Sequence, residues 1–170
     1  MIDIKQTAIR YRIKSAKKKK AERAYKKYED TQKIGILFSS IDLDKHDKIK
    51  NLVKKLKKDG KTISILSFVD KGRENHGFDF DYYTKEDFSL FGKVISENVQ
   101  KFIDEEFDLL YHIDLEENPW VTSLMAQSKA KCRVGRHSET FDSFYELMLA
   151  IKKEEVSELI DQMYYYTNNL

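Results

Sequence analysis

The sequence predicts an α/β fold, a Rossmann-like three-layer domain with a mostly parallel sheet, preceded by a long basic N-terminal helix. Short apolar runs rich in β-branched residues alternate with longer amphipathic segments, which is typical of strands joined by crossover helices. No two strand-like runs are joined by a short hairpin signal, which favours parallel pairing. We therefore expect residues 1–33 to form a basic helical arm and residues 34–170 an α/β domain.

The N-terminal segment predicts one continuous helix. Residues 4–28 contain neither Gly nor Pro and are rich in Ala, Lys, Arg and Glu. The apolar side chains form one thin stripe, so we expect the helix to lie only lightly against the domain. The members of this stripe are Ile2, Ile9, Ile13, Ala16, Ala24 and Tyr28.

A βαβ unit is predicted to follow. The apolar run 34–38 indicates a buried strand, and residues 61–69 indicate a second one. Between them, apolar residues recur at helical spacing from Ile49 to Leu56, and Gly60 ends the helix. The crossover of such a unit is right-handed in nearly all proteins.

The second half of the chain continues the alternation. We predict an irregular connection over residues 70–87. The other predicted elements are short strands at Leu90–Phe91 and 131–134, a longer strand over 107–113, and helices over 94–105, 118–128, 141–151 and 156–166. Asn118-Pro119 marks the start of one of these helices, because proline suits a first helical turn.

Composition limits the cellular location. Cys132 is the only cysteine, which excludes an internal disulfide and favours a reducing compartment. No segment approaches the roughly 18 apolar residues that a membrane span needs, and the basic N-terminus is not followed by an apolar signal-peptide core. We expect a cytoplasmic protein without a membrane span.

One stretch resembles a known enzyme family. Residues 107–136 (FDLLYHIDLEENPWVTSLMAQSKAKCRVGR) are similar to the N-terminal, acceptor-side Rossmann-like domain of heptosyltransferase-type glycosyltransferases. In that family a YDLVIDL strand is followed by a small-residue helix and an AKxRVG strand. The family's first loop carries Ser-Ser-X-Gly-Asp, whereas here Ser39-Ser40-Ile41 is followed by Asp42 and Leu43. The expected catalytic position is therefore not matched.

Over nearly its full length, basic helix included, the chain resembles a family of small uncharacterised Bacteroidota proteins that is known only as a domain of unknown function. This resemblance implies no activity.

The motifs of cofactor and metal sites are missing. Neither a GxGxxG nor a Walker pattern follows the first strand, and the four histidines do not lie at metal-ligand spacing from each other or from Cys132. We therefore expect no cofactor, no metal and no catalytic residue. His112 is interpreted as a hydrogen-bonded core histidine, and Trp120 as a packing anchor.

Carboxylates follow two of the predicted strands. Asp114, Glu116 and Glu117 come directly after one, and Asp42 and Asp44 after another. Open α/β sheets place their ligand sites at this edge. The same carboxylates can instead solvate loops and cap helices. We favour capping, and an enzyme with its site at Asp42, Asp44 and Asp114 stays the alternative.

Charge is divided unequally along the chain. The first 61 residues carry 20 Lys or Arg against 8 Asp or Glu, whereas the remainder carries 11 against 21. Lysine and arginine neutralise phosphates without reading sequence, and tyrosines among them can stack on bases. The predicted RNA-binding residues are Arg10, Arg12, Lys14, Lys17, Lys18, Lys19, Lys20, Arg23, Lys26, Lys27, Lys54, Lys55 and Lys58.

We therefore predict a non-enzymatic RNA-binding protein, associated with the ribosome, that presents an acidic body to a protein partner. One alternative is an enzyme or degenerate enzyme related to a glycosyltransferase half-domain. An amphipathic helix on an anionic membrane ranks behind RNA, because the helix offers only Ala and Tyr on its apolar side between Ile13 and Ile34. A merely solvated lysine-rich helix also remains open.

Overall fold

The computed structural model describes residues 3–16, 22–70, 79–139 and 144–170. Within these ranges the strands are β1 Lys33–Ser39, β2 Thr62–Phe68, β3 Tyr82–Tyr83, β4 Leu109–His112, β5 Cys132–Arg136 and β6 Leu147–Leu149. The helices are α1 Ile4–Ala16, α2 Leu43–Lys58, α3 Glu97–Asp104, α4 Pro119–Gln127 and α5 Val156–Asn168, with short 3-10 turns at Tyr28–Asp30 and Lys85–Asp87.

All six strands are parallel and form one sheet in the order β3-β2-β1-β4-β5-β6. The chain builds outward from β1 to β3, then crosses back and builds outward in the other direction from β4 to β6. In the centre, Ile36 of β1 pairs with Ile65 on one side and Tyr111 on the other. This strand order confirms the predicted Rossmann-like α/β fold and places its topological switch point between β1 and β4.

Helices cover both faces of the sheet. One hydrophobic cluster joins α1, α3 and α4 to the sheet, and a second joins α2 and α5 to its other face. Along β1, Leu37 belongs to the first cluster, and Ile36 and Phe38 belong to the second. A strand buried on both faces needs apolar residues at consecutive positions, which explains the continuous run that predicted it.

The N-terminal segment differs from its prediction. The helix ends at Ala16, residues 22–27 are not helical, and residues 17–21 lie outside the described ranges, so the prediction of one continuous helix over 4–28 is wrong. Ala24 donates its backbone N–H to Lys131 O at 3.2 Å, and Arg23 donates to Ser128 O at 3.0 Å. These tertiary hydrogen bonds hold the backbone extended against the start of β5 and override helix propensity.

The contact between α1 and the domain is extensive, because Ile9 and Ile13 are buried in the same cluster as Trp120. The prediction of a helix that lies lightly on the domain is therefore wrong. The thin apolar stripe is sufficient for packing, because two isoleucines are fully inserted against α4.

Two other predicted elements are also wrong. Leu90–Phe91 is not a strand, and the Phe91 side chain is 78% exposed; the third strand is instead Tyr82–Tyr83. The helix predicted over 141–151 is replaced by β6, although residues 140–143 lie outside the described ranges. Glu146 accepts hydrogen bonds from the backbone N–H and the guanidinium of Arg133, which fixes this segment beside β5.

Candidate functional site at the carboxyl edge of the sheet

Asp114 is the centre of a buried polar network at the switch point. It lies two residues after the end of β4, and its carboxylate faces the end of β1, where Ser39 donates both its backbone N–H and its hydroxyl at 2.9–3.0 Å. The ammonium group of Lys45, from the first turn of α2, forms an ion pair with the same carboxylate and also donates to Ser39 O at 2.9 Å. The network thus joins β1, α2 and β4.

A histidine and a tyrosine extend the network. His112 Nε2 lies 3.0 Å from Asp114 Oδ2, and His112 Nδ1 lies 2.5 Å from the Tyr145 hydroxyl. Because Nε2 faces a carboxylate, we assign a proton to Nε2, which donates it in a hydrogen bond to Asp114. This confirms that His112 is a hydrogen-bonded core histidine.

The surroundings of Asp114 and Tyr145 keep the carboxyl group ionised and the phenol protonated. Burial alone would raise the pKa of Asp114, but the hydrogen bond from His112 and the positive charge of Lys45 outweigh burial and hold that pKa below its usual value. Burial raises the pKa of Tyr145, and the negative charge of Asp114 adds to the effect, so the phenol stays protonated. A protonated phenol is a hydrogen-bond donor, not a nucleophile.

The two predicted carboxylates that follow β1 are structural. Asp42 is the N-cap of α2 and accepts a hydrogen bond from the Lys45 backbone N–H at 2.8 Å. Asp44 forms an exposed ion pair with Lys48 in the next turn. The capping role that we favoured is confirmed for Asp42. These two carboxylates do not join the Asp114 network.

The loop after β4 is tied to the first strand and begins the next helix. Asn118 is the N-cap of α4, accepts a hydrogen bond from the Trp120 backbone N–H at 3.0 Å, and donates to Ser39 Oγ at 3.0 Å. Trp120 is buried, and its ring stacks on that of Phe68 with centroids 6.3 Å apart. Its predicted role as a packing anchor is confirmed.

The predicted RNA-binding residues divide into three groups. Those that are exposed and form no ion pair with another described residue are Arg10 and Lys14 on α1, Lys27, and Lys54, Lys55 and Lys58 on α2. Those bonded to other parts of the domain are Arg12, which donates to Phe91 O at 2.8 Å, Arg23, which bonds Ser128 O and pairs with Glu146, and Lys26, which is exposed but pairs with Asp108 at 2.7 Å. Those outside the described ranges are Lys17, Lys18, Lys19 and Lys20.

The structure does not bring the two basic helices together on one face. Helix α1 packs with α4 on one side of the sheet, and α2 packs with α5 on the other. The connecting residues cross at the amino edge of the sheet, where the Tyr28 hydroxyl bonds Asp59 Oδ2 at 2.8 Å. Lys27 therefore lies close to the lysine-rich end of α2.

Sequence reasoning missed Lys45 and Tyr145. The signal for Lys45 was present, because residue 45 continues the apolar stripe of α2 that runs through Ile49 and Leu52, so its side chain had to point inward. Tyr145 gave no such signal, since the segment around it was predicted to be helical. In the ranges that the structure covers, no three His, Cys, Asp or Glu side chains are arranged as metal ligands, and no helix has the length and apolar character to cross a bilayer.

Comparison with known proteins gives one match. No curated protein and no solved structure matches the chain, so the likeness of residues 107–136 to glycosyltransferases stays a prediction. The sequence profile of a family of unknown function, DUF6913, matches residues 5–170, from α1 to the end of α5. The chain therefore belongs to DUF6913, a family of unknown function, as its full-length resemblance indicated.

Proposed function

We propose that the protein is a non-enzymatic RNA-binding protein that docks on the ribosome through an exposed basic surface. We define this surface by the side chains of Arg10, Lys14, Lys27, Lys54, Lys55 and Lys58. One observation carries the proposal: all six are exposed, and none of them forms an ion pair with another described residue. Unpaired cations at such density favour a polyanionic partner.

The shape of the basic surface favours a structured RNA over a flat partner. Its α1 and α2 parts lie on opposite faces of the sheet, and Lys27 lies at the amino edge near the end of α2. A partner that contacts both parts must therefore curve around that edge. Folded RNA offers phosphates over such a curved surface, and lysine can neutralise them without reading bases.

Three of the predicted RNA contacts take a different role in this proposal. Arg12 donates to Phe91 O and holds α1 on the domain. Arg23 and Lys26 are engaged by Glu146 and Asp108, and they hold residues 22–27 on the domain. We assign them to stability and not to RNA. The carboxylates at the opposite edge of the sheet, among them Glu116 and Glu117, are exposed and offer a protein partner an acidic surface. The proposal places the protein in the cytoplasm.

The test compares two triple variants that lose the same charge. The variant Lys54→Gln, Lys55→Gln, Lys58→Gln removes half of the basic surface, and the control Lys101→Gln, Lys152→Gln, Lys153→Gln removes three exposed lysines elsewhere. Binding of a fluorescent ribosomal RNA hairpin is measured by anisotropy at several salt concentrations. We expect the first variant to lower the slope of log affinity against log salt by about 2, because each neutralised phosphate contributes roughly 0.7–0.9.

The control should retain the slope of the wild-type protein. If the two triple variants bind the RNA equally well, the basic surface is not the RNA-binding site. If the wild-type protein shows no salt-dependent binding, the proposal of RNA binding is itself wrong. Sedimentation of the tagged protein through a sucrose gradient of native lysate then tests ribosome association. Co-migration with ribosomes should be lost in the first variant and kept in the control.

A further inference from the structure

A cavity of about 520 Å³ opens at the switch point, between the loop after β1 and the loop after β4. Ligands of open α/β sheets bind in the crevice at this position, where neighbouring connections leave the sheet in opposite directions. Its volume lies in the range of small-molecule sites. The cavity is at the edge of the sheet opposite to Lys27 and is independent of the basic surface.

The floor of the cavity is rigid and its own polar groups are satisfied. Asp114, Ser39 and Asn118 hydrogen bond one another and Lys45, as described above. Beside them, the stacked rings of Phe68 and Trp120 provide an apolar wall. A preformed site with fixed polar atoms and an aromatic wall needs little reorganisation to accept a ring-shaped ligand.

One polar atom in the lining lacks a partner. Ser40 lines the cavity and is 6% exposed, and its backbone N–H donates to Phe68 O at 2.8 Å. Its hydroxyl oxygen is buried and has no hydrogen-bond partner among the described residues. Buried hydroxyl groups are normally paired, and a partner from outside the chain would satisfy this one. A hydroxyl can both donate to and accept from such a partner.

Charge at the rim selects against anions. The exposed side chains of Glu116 and Glu117 lie on the loop after β4, and both residues line the cavity. Carboxylates repel phosphate groups and accept hydrogen bonds from hydroxyl groups. Two lysines also line the cavity, and each is paired with a carboxylate of the lining: Lys45 with Asp114, and Lys85 with Asp70 at 3.0 Å. Neither charge is therefore freely available to an anion.

We propose that this cavity binds an uncharged ring bearing several hydroxyl groups, with one hydroxyl paired to Ser40 Oγ and others to the carboxylates of Glu116 and Glu117. Free sugars and nucleosides share this chemistry. An aromatic wall suits the apolar face of either ring.

Trp120 is the only tryptophan of the chain and lines the cavity, so its fluorescence reports binding directly. The full chain is titrated with ribose, glucose, uridine and uridine monophosphate. We expect a saturable change with at least one of the uncharged compounds. A change with ribose or glucose alone identifies the sugar as the ligand class, and a change with uridine alone identifies the nucleoside. Uridine monophosphate should bind more weakly than uridine.

The decisive variant is Ser40→Ala. It removes an unpaired buried hydroxyl, so the melting temperature should stay the same or rise, while affinity for the bound compound falls about fivefold through loss of one hydrogen bond. The control Ser67→Ala removes a buried hydroxyl that bonds Asp81 O at 3.3 Å outside the cavity, and should leave affinity unchanged. In the double variant Glu116→Gln, Glu117→Gln, the ratio of the affinity for uridine to the affinity for uridine monophosphate should decrease.

The proposal is overturned if no uncharged compound changes the fluorescence, or if Ser40→Ala binds as tightly as the wild-type protein. It is also overturned if uridine monophosphate binds more tightly than uridine. None of these results bears on RNA binding, which the lysine variants test separately.

Discussion

The ammonium group of Lys45 and the carboxylate of Asp114 form an ion pair in which the side chains are only 4% and 3% exposed. The pair links the first turn of α2 to the end of β4, across the end of β1. Two buried charges of opposite sign repay their loss of hydration only when the geometry is good and the remaining hydrogen bonds are made. Ser39 and His112 supply those bonds here.

We predict that Lys45→Met lowers the free energy of unfolding by about 3 kcal/mol, because it leaves the Asp114 charge buried with no cation beside it. Urea unfolding measures the loss. The control is Lys48→Met, which breaks the exposed pair with Asp44 on the same helix and should cost much less, because solvent screens that pair. In the double variant Lys45→Met, Asp114→Asn, part of the lost stability should return. A similar cost for Lys45→Met and Lys48→Met would contradict the role assigned to the buried pair.

The Tyr145 ring lies directly over Gly135, where an added Cβ atom would overlap the ring atoms Cε1 and Cζ. We predict that Gly135→Ala displaces Tyr145 and costs about 1–3 kcal/mol, as overpacking in a core does. In a Tyr145→Ala background the obstacle is absent, so adding Gly135→Ala should then cost almost nothing. Denaturant unfolding of the four proteins in this double-mutant cycle checks the coupling. Simple additivity would show that the ring is not held over Gly135.

The central strands and helices were predictable because local sequence and tertiary packing agree there. Continuous apolar runs predict β1 and β4, which are buried on both faces, and the Asn118-Pro119 pair predicts the start of α4. Segments fixed by distant side chains were not predictable. Residues 22–27 have strong helix propensity, but Arg23 and Ala24 bond backbone atoms more than 100 residues away.

The candidate site was predictable only in outline. The rule for strand ends led to Asp114, because the residue directly follows an apolar run. It could not separate Asp114 from Asp42, whose carboxylate caps a helix instead. The rule also could not identify Tyr145, which bonds His112 but lies 33 positions further along the chain. Tyr145 belongs to a segment that was predicted to be helical. Long-range side-chain partners depend on the strand order, which local patterns do not determine.

The packing of α1 leads to a prediction about two isoleucines on the same helix. Ile9 is fully buried in the cluster with Trp120, whereas Ile4 is 71% exposed. We expect Ile9→Ala to lower the free energy of unfolding by about 3 kcal/mol and Ile4→Ala to change it by less than about 0.5 kcal/mol. Urea unfolding of both variants measures the difference. Equal, small effects would show that the packing of α1 contributes little to the stability of the domain.

The single thiol should be unreactive in the folded protein. Cys132 is buried in β5, and burial raises its pKa to about 12, so the thiolate is scarce near neutral pH. We predict that an aromatic disulfide reagent labels Cys132 rapidly only after denaturant is added, which absorbance of the released thiol measures. Labelling at equal rates with and without denaturant would contradict this burial.

Asp108 should make stability depend on pH. Burial alone would raise the pKa of this carboxyl, but the ion pair with Lys26 and hydrogen bonds from the backbone N–H groups of Gln32 and Lys33 outweigh burial and hold that pKa at about 2. The ordinary value is 3.8, so the folded state binds this proton more weakly than the unfolded chain does. The resulting stabilisation is complete above about pH 4 and is lost as the pH falls towards about 2.

We therefore expect Asp108→Asn to be less stable than the wild-type protein at neutral pH by about 2 kcal/mol, and the difference to shrink as the pH falls through this range. Urea unfolding of both proteins at successive pH values measures the difference directly, and effects of other carboxyl groups cancel because both proteins contain them. The control is Glu105→Gln, which breaks an exposed pair with Lys33. Its free energy of unfolding should differ little from that of the wild-type protein, and the difference should vary little with pH. A difference for Asp108→Asn that stays constant down to about pH 2 would show that its carboxylate does not hold residues 26–33 on the domain.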